Sequence, residues 1–301
     1  MTTYTIKLIS IIYLVFIFNF SANSMEVTAP HNGINLVANL EIAEGKSIQD
    51  DVIVMMHGTL AHGELEILKA LQTQLKDRGF NSLSMTLSLG LDKRKGLYDC
   101  NVPHTHKHTD ALDETGVWIR WLKEKGVKKI NLLGHSRGGN QIAWFAAERH
   151  DSAVEKVILV APMTWDKQRS HDYYSRVFKK ELQPLLNKAQ QLVAAGKPDE
   201  WLDNIDFVYC RDAKVQAASF VSYHGDDPRL NTSHHLAAIK QPVLVFAGTE
   251  DSIVTNVIED IEPVADGEHV RLVKIEGADH FFRDLFVDDL VENIVEFLEK
   301  Q

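Results

Sequence analysis

Three observations predict an α/β fold with a mostly parallel central sheet flanked by helices. Past residue 50, apolar runs of strand length alternate with helical patterns, the order expected of successive βαβ units. The runs are continuous rather than alternating, as in strands covered on both faces. Between two of them lies a stretch of about 80 residues, helical in pattern and too long for a loop, which predicts an insertion over the sheet.

Leu8 to Phe18 reads LISIIYLVFIF after Lys7 and runs into Ser21-Ala22-Asn23-Ser24, the layout of a signal peptide cleaved near Met25. As a helix this run would span about 16 Å of a hydrocarbon core of about 30 Å, so no stable membrane insertion is expected after cleavage. Residues 1–24 are thus expected to direct export, periplasmic or secreted, with 25–162 and 241–301 forming the core and 163–240 a cap. Asp51 to His57 reads as a strand ending at Gly58, Gly63 to Arg78 as a helix, and Asn81 to Leu87 as a strand. Leu89 to His108 is polar and aperiodic, a long loop. Thr109 can cap the next helix, with Asp110, Asp113 and Glu114 in its first turn, Gly126 beyond its end, and Leu112, Ile119 and Leu122 on its core face. Lys129 to Leu133 is a strand and Gly139 to His150 a helix; Val157 to Ala161, Val243 to Ala247 and Val270 to Ile275 are further strands before a C-terminal helix from Asp288 to Lys300. Within the insertion, Tyr173 to Leu182 and Pro184 to Ala195 read as two amphipathic helices, because proline suits a first turn and not a helix interior. Gly196-Lys197-Pro198 ends that pattern, so the cap is expected to be helical.

The 301 residues, 45% hydrophobic and 25% charged, suit one or two soluble globular domains. A net charge of −10 without blocks of like charge excludes the phosphate-neutralising surface of a nucleic-acid binder. Cys100 and Cys210 are the only cysteines and stand 110 residues apart, which rules out a zinc knuckle, a CxxC redox site and a disulfide-dense scaffold. In an oxidising compartment they either pair, tying the long loop to the cap, or remain two buried thiols.

Gly134-His135-Ser136-Arg137-Gly138 directly follows a buried strand and directly precedes a helix. A serine on so sharp a turn needs small neighbours, and the helix N-terminus behind it favours negative charge. Its hydroxyl needs a base, and the base needs a partner that holds its tautomer. Asp251 follows the strand Val243 to Ala247, and His280 follows the strand Val270 to Ile275. In a parallel sheet the loops after such strands share one side, so Ser136, Asp251 and His280 are expected to converge.

These residues, in the order Ser, Asp, His, resemble the α/β-hydrolase fold superfamily over roughly Val52 to Leu298. The resemblance implies an α/β-hydrolase fold, a nucleophilic Ser136, a His280 base and an Asp251 partner. His57-Gly58 resembles the family's HG oxyanion motif, which implies one donor in the Thr59 amide, or Leu60 beside it, and another in that of Arg137. The chain departs from the family in following HG with Thr59-Leu60, and about seven strands can be placed where eight are typical.

Other residues carry quieter readings. Glu250 rivals Asp251, but the family pattern puts the acid at Asp251; Asp279 reads as a surface carboxylate, and His57 and His135 as packing residues. His104, His106 and His108 alternate as metal ligands can, but without accompanying carboxylates they read as a solvated loop. Arg137 could meet an acidic substrate or pack under its helix. Trp165, Tyr173, Tyr174, Phe178 and Trp201 read first as cap core and second as an acyl pocket. The expectation is an exported serine hydrolase of carboxylic esters or similar small acyl substrates, needing no metal or organic cofactor, of open oligomeric state. C–C bond hydrolases, thioesterases, amidases and cofactor-free haloperoxidases share this fold and triad, and a non-catalytic binding protein is the alternative of another class.

Overall fold

Eight strands order the molecule into one sheet, seen in a computed structural model that describes residues 24–300. The export segment lies outside the described residues except for Ser24. In chain order come β1 (Met25–His31), β2 (Ile34–Glu41), β3 (Val52–Met56), α1 (Glu66–Asp77), β4 (Asn81–Thr86), α2 (Asp110–Glu124), β5 (Ile130–His135), α3 (Arg137–Arg149) and β6 (Val154–Val160). The inserted segment carries α4 (Lys167–Phe178), α5 (Leu182–Ala194), β7 (Trp201–Phe207), β8 (Cys210–Gln216), α6 (Ala217–His224) and α7 (Ser233–Leu236). The chain then returns with β9 (Val243–Gly248), α8 (Val257–Ile261), β10 (Val270–Ile275) and α9 (Phe286–Glu299).

The strand order is β1-β2-β4-β3-β5-β6-β9-β10, parallel from β4 to β10 with β1 and β2 antiparallel at one edge. The sheet has eight strands; six of them are the strands bounded in the sequence, and the unlocated pair is β1 and β2. Every residue of β3, β4, β5 and β9 is buried, which is why β3 and β9 read as continuous runs, whereas β4 buries Ser82 and Ser84 between its apolar residues. Ile67, Leu68, Leu71 and Leu75 of α1 pack with Leu290, Val291 and Ile294 of α9 on one face. Trp118, Ile119 and Leu122 of α2 pack with Ile142, Ala143 and Phe145 of α3 on the other. Thr109 does not cap α2; its backbone is already helical, and Asp110 instead accepts from the Lys107 amide at 2.7 Å.

The insertion is not purely helical. β7 and β8 form an antiparallel hairpin, and the long loop adds to its edge, with the His104 amide donating to Lys214 O (2.8 Å) and the Gln216 amide to His104 O (2.9 Å). A disulfide joins Cys100 to Cys210 across 110 residues, with Cα atoms 5.3 Å apart. Tyr174 and Phe178 are buried with ring centroids 4.8 Å apart, so they belong to the core of the insertion, whereas Tyr173 is exposed. Among the described residues no helix is long and apolar enough to cross a membrane.

Candidate active site

β5 leaves the middle of the sheet at His135, and α3 begins only one residue later. Ser136 spans that junction with φ 57° and ψ −124°, a conformation that strains a side-chain-bearing residue. Glycine makes the room. A Cβ at Gly134 would stand 2.3 Å from the Gly138 carbonyl oxygen, and one at Gly138 would stand 2.4 Å from that of His57. The Ser136 amide donates to Val160 O, and the Ser136 carbonyl accepts from the Gly139 and Met163 amides, all at 2.9 Å.

Beyond β6 on that side of the sheet, the loops after β9 and β10 carry Asp251 and His280, both buried. His280 Nδ1 donates to Asp251 Oδ2 at 2.7 Å. The other carboxylate oxygen, Oδ1, accepts from the Ile253 and Val254 amides at 2.8 Å each, so the carboxylate is held at both ends. Glu250 is exposed and makes none of these contacts. The His135 ring lies 4.8 Å from that of His280, and its Nε2 donates to the His280 carbonyl at 2.9 Å. Burial, reinforced by neighbouring His280, pushes His135 down to about 3, so it packs as a neutral ring. Asp279 pairs instead with Arg283 at 2.7 Å.

On the other side of Ser136, the turn after β3 packs against the serine itself: a Cβ at Gly58 would lie 2.9 Å from Ser136 Cβ. His57 braces this turn, with Nδ1 donating to Gly58 O (2.7 Å) and Nε2 accepting from the Leu87 amide (3.0 Å) and Arg94 (3.2 Å). Arg94 also donates to Leu87 O, Gly96 O and Ala61 O at 2.6, 2.7 and 2.6 Å. Nothing local in the sequence singled out Arg94, because its partners are set by the path of the loop. Leu60 has φ 54°, and Thr59 Oγ1 accepts from Arg137 Nε at 2.9 Å.

His104, His106 and His108 are buried, which corrects the expectation of a solvated loop. Hydrogen bonds explain how. His104 Nδ1 lies 3.1 Å from His106 Nε2, and His106 Nδ1 lies 2.8 Å from the Tyr223 hydroxyl. His108 Nε2 donates to Asn140 Oδ1 at 2.8 Å. Burial above all pushes His104 down to about 4 and His106 and His108 to about 3, so all three are neutral. Among the described residues no group of three or more His, Cys, Asp or Glu is arranged to hold a metal ion.

A parallel sheet with a serine at the turn after its central strand, and a carboxylate–histidine pair at the ends of later strands, defines a class. The family model of the alpha/beta hydrolase fold matches residues 52–284, and the chain belongs to that family. Among solved structures it is similar to Est1E from Butyrivibrio proteoclasticus, with a TM-score of 0.63 and 18% identity over 91% of this chain and 97% of that one. It is similar also to a monoacylglycerol lipase of Paleococcus ferrophilus, with a TM-score of 0.59 and 18% identity over 87% of this chain and 98% of that one. At these identities the likeness shows the fold. A Mycoplasma pneumoniae protein named as an esterase/lipase is 25% identical over 77 residues, which is 26% of this chain and spans only 28% of that relative's length.

Proposed function

We propose that the protein is an exported serine esterase. The observation that carries this is the buried His280–Asp251 hydrogen bond at the carboxyl ends of the parallel strands, where Ser136 holds its strained turn. Ser136 Oγ attacks the ester carbonyl carbon as His280 Nε2 takes its proton. The carbonyl π electrons move to oxygen, then re-form the carbonyl as the bond to the leaving alkoxide breaks, and His280 returns the proton to that alkoxide. Water, deprotonated by His280, then releases the acid and regenerates Ser136. Asp251 holds Nδ1–H and balances the imidazolium. The amides of Arg137 and Thr59, with Leu60 as the alternative to Thr59, hold the oxyanion; losing one such donor typically costs about 2.7–4 kcal/mol of barrier. The direct packing of the Gly58 turn on Ser136 supports that assignment.

Export is supported by the apolar segment after Lys7 and by the Cys100–Cys210 disulfide, a bond that persists in oxidising compartments. Residues 163–240 act as a cap, resting on the Met163 amide contact to Ser136 and on the loop–hairpin clamp.

The test pairs a fluorophosphonate probe with p-nitrophenyl esters of graded chain length. Labelling and turnover are expected in the native chain, and neither in Ser136→Ala. His280→Ala should lose turnover as fully, and the double variant should be hardly worse than either single one. Near-native turnover by Ser136→Ala would sink the mechanism.

A further inference from the structure

Several arginine side chains at the surface of this protein meet a carboxylate, as Arg149 meets Asp113, Arg229 meets Asp227 and Arg283 meets Asp279, each at 2.8 Å or less. Arg137, immediately after Ser136, does not. Its Nε donates to Thr59 Oγ1 at 2.9 Å, its Nη1 donates to His108 Nδ1 at 3.2 Å, and its guanidinium lies 5.0 Å from the centroid of the Tyr223 ring. Burial disfavours its charge, and the groups that favour it are the hydroxyls of Tyr223, Tyr209 and Tyr173, none of them a carboxylate. Among the described residues no carboxylate stands within ion-pair distance of it. A guanidinium carries five N–H donors, and the two engaged here leave three without a protein acceptor.

The fork is also held rigid. Asn140 Nδ2 donates to Arg229 O at 3.1 Å, its Oδ1 accepts from His108 Nε2, and that tautomer leaves His108 Nδ1 free to accept from Arg137. The guanidinium is half-buried, and a cation partly withdrawn from water gains from an anion that meets it; a planar, preorganised fork suits a carboxylate. The net charge of −10 repels anions at long range, so such a ligand would be recognised only by a local cation.

We propose that Arg137 binds an anionic group of the substrate, so that the ester cleaved at Ser136 carries a free carboxylate. This rests on the esterase reading. The carboxylate sits on the acyl half or on the leaving group, and two substrate pairs separate these. Mono-p-nitrophenyl adipate is compared with its methyl ester, and the butyrate ester of 4-hydroxybenzoate with that of methyl 4-hydroxybenzoate. In one pair kcat/KM should favour the anion by about 10- to 100-fold, the worth of one charged hydrogen-bonded contact. That ratio, whatever the absolute rates, should collapse in Arg137→Gln and partly return in Arg137→Lys.

Ratios near one in both pairs, or a preference that Arg137→Gln leaves intact, would overturn the proposal while fluorophosphonate labelling keeps the esterase reading. A chain that neither labels nor turns over any ester would remove both. Should Arg137→Gln fail to fold, the native chain still decides. Adipate should compete with a neutral ester where adipamide does not, and the inhibition should weaken with salt; equal effects of the two would overturn the anion site.

Discussion

At Ser136 the chain keeps a backbone conformation that glycine would adopt without steric cost. Ser136→Gly is therefore expected to hold or raise the melting temperature, by the equivalent of about 1 kcal/mol, while removing ester turnover. A melting temperature lowered as by a core substitution would mean that the hydroxyl, not the turn, is what the structure needs. Asp251 poses the converse case. Its two carboxylate oxygens serve different partners, backbone amides on Oδ1 and His280 on Oδ2. Asp251→Asn keeps the shape but can offer an amide where Nδ1–H needs an acceptor. Turnover should fall about ten-thousandfold with little change in KM, measured on any neutral p-nitrophenyl ester.

Among the elements, those buried on both faces were legible because burial demands an unbroken apolar run, as in Val52–Met56 and Val243–Gly248. The edge strand Met25–His31 exposes most of its residues and therefore carries little apolar signal, although the Asn32-Gly33 pair, with φ of 47° and 83°, was a readable hairpin turn. The hairpin Trp201–Phe207 with Cys210–Gln216 was illegible because register shifts break its alternation. At the site, Ser136, Asp251 and His280 were legible because each follows a strand end. The histidine network was not, because Tyr223 stands 117 residues from His106. α2 carries a further consequence. Glu114 is buried and accepts from Ser88 N and Oγ at 2.8 and 2.6 Å, yet burial outweighs these bonds and pushes it up to about 7. A raised carboxyl stabilises the fold fully below its unfolded value near 4.5, and that contribution is lost as pH rises through 7. Relative to Glu114→Gln, the native chain should lose on the order of 3 kcal/mol between pH 4 and 8, read from urea midpoints. Parallel pH profiles would show that Glu114 is solvated.

Across the whole molecule the larger effect has the opposite sign. His57, His104, His106, His108, His135 and His224 are all driven far below the ordinary value, to about 3 or 4, by burial first of all. A depressed histidine contributes its full stability above about 6.5, and loses it as pH falls toward the folded value. Each loses on the order of 1 kcal/mol between pH 7 and 5.5, so together they lose a sizeable part of the ~5–15 kcal/mol that holds a domain folded. Acid unfolding with uptake of several protons is therefore expected between about pH 6 and 5, followed by circular dichroism. A native signal persisting at pH 4 would show that these rings are hydrated. The bond between Cys100 and Cys210 bears on how the chain matures. With two cysteines in all, only one intramolecular pairing exists, so oxidation has no register to search and an oxidant suffices without an isomerase. A chain emerging from its N-terminus presents Cys100 while its partner is still 110 residues behind. During that interval the only thiols it can wrongly meet belong to other molecules, so the yield of correctly closed protein should depend on how crowded the compartment is rather than on the fold.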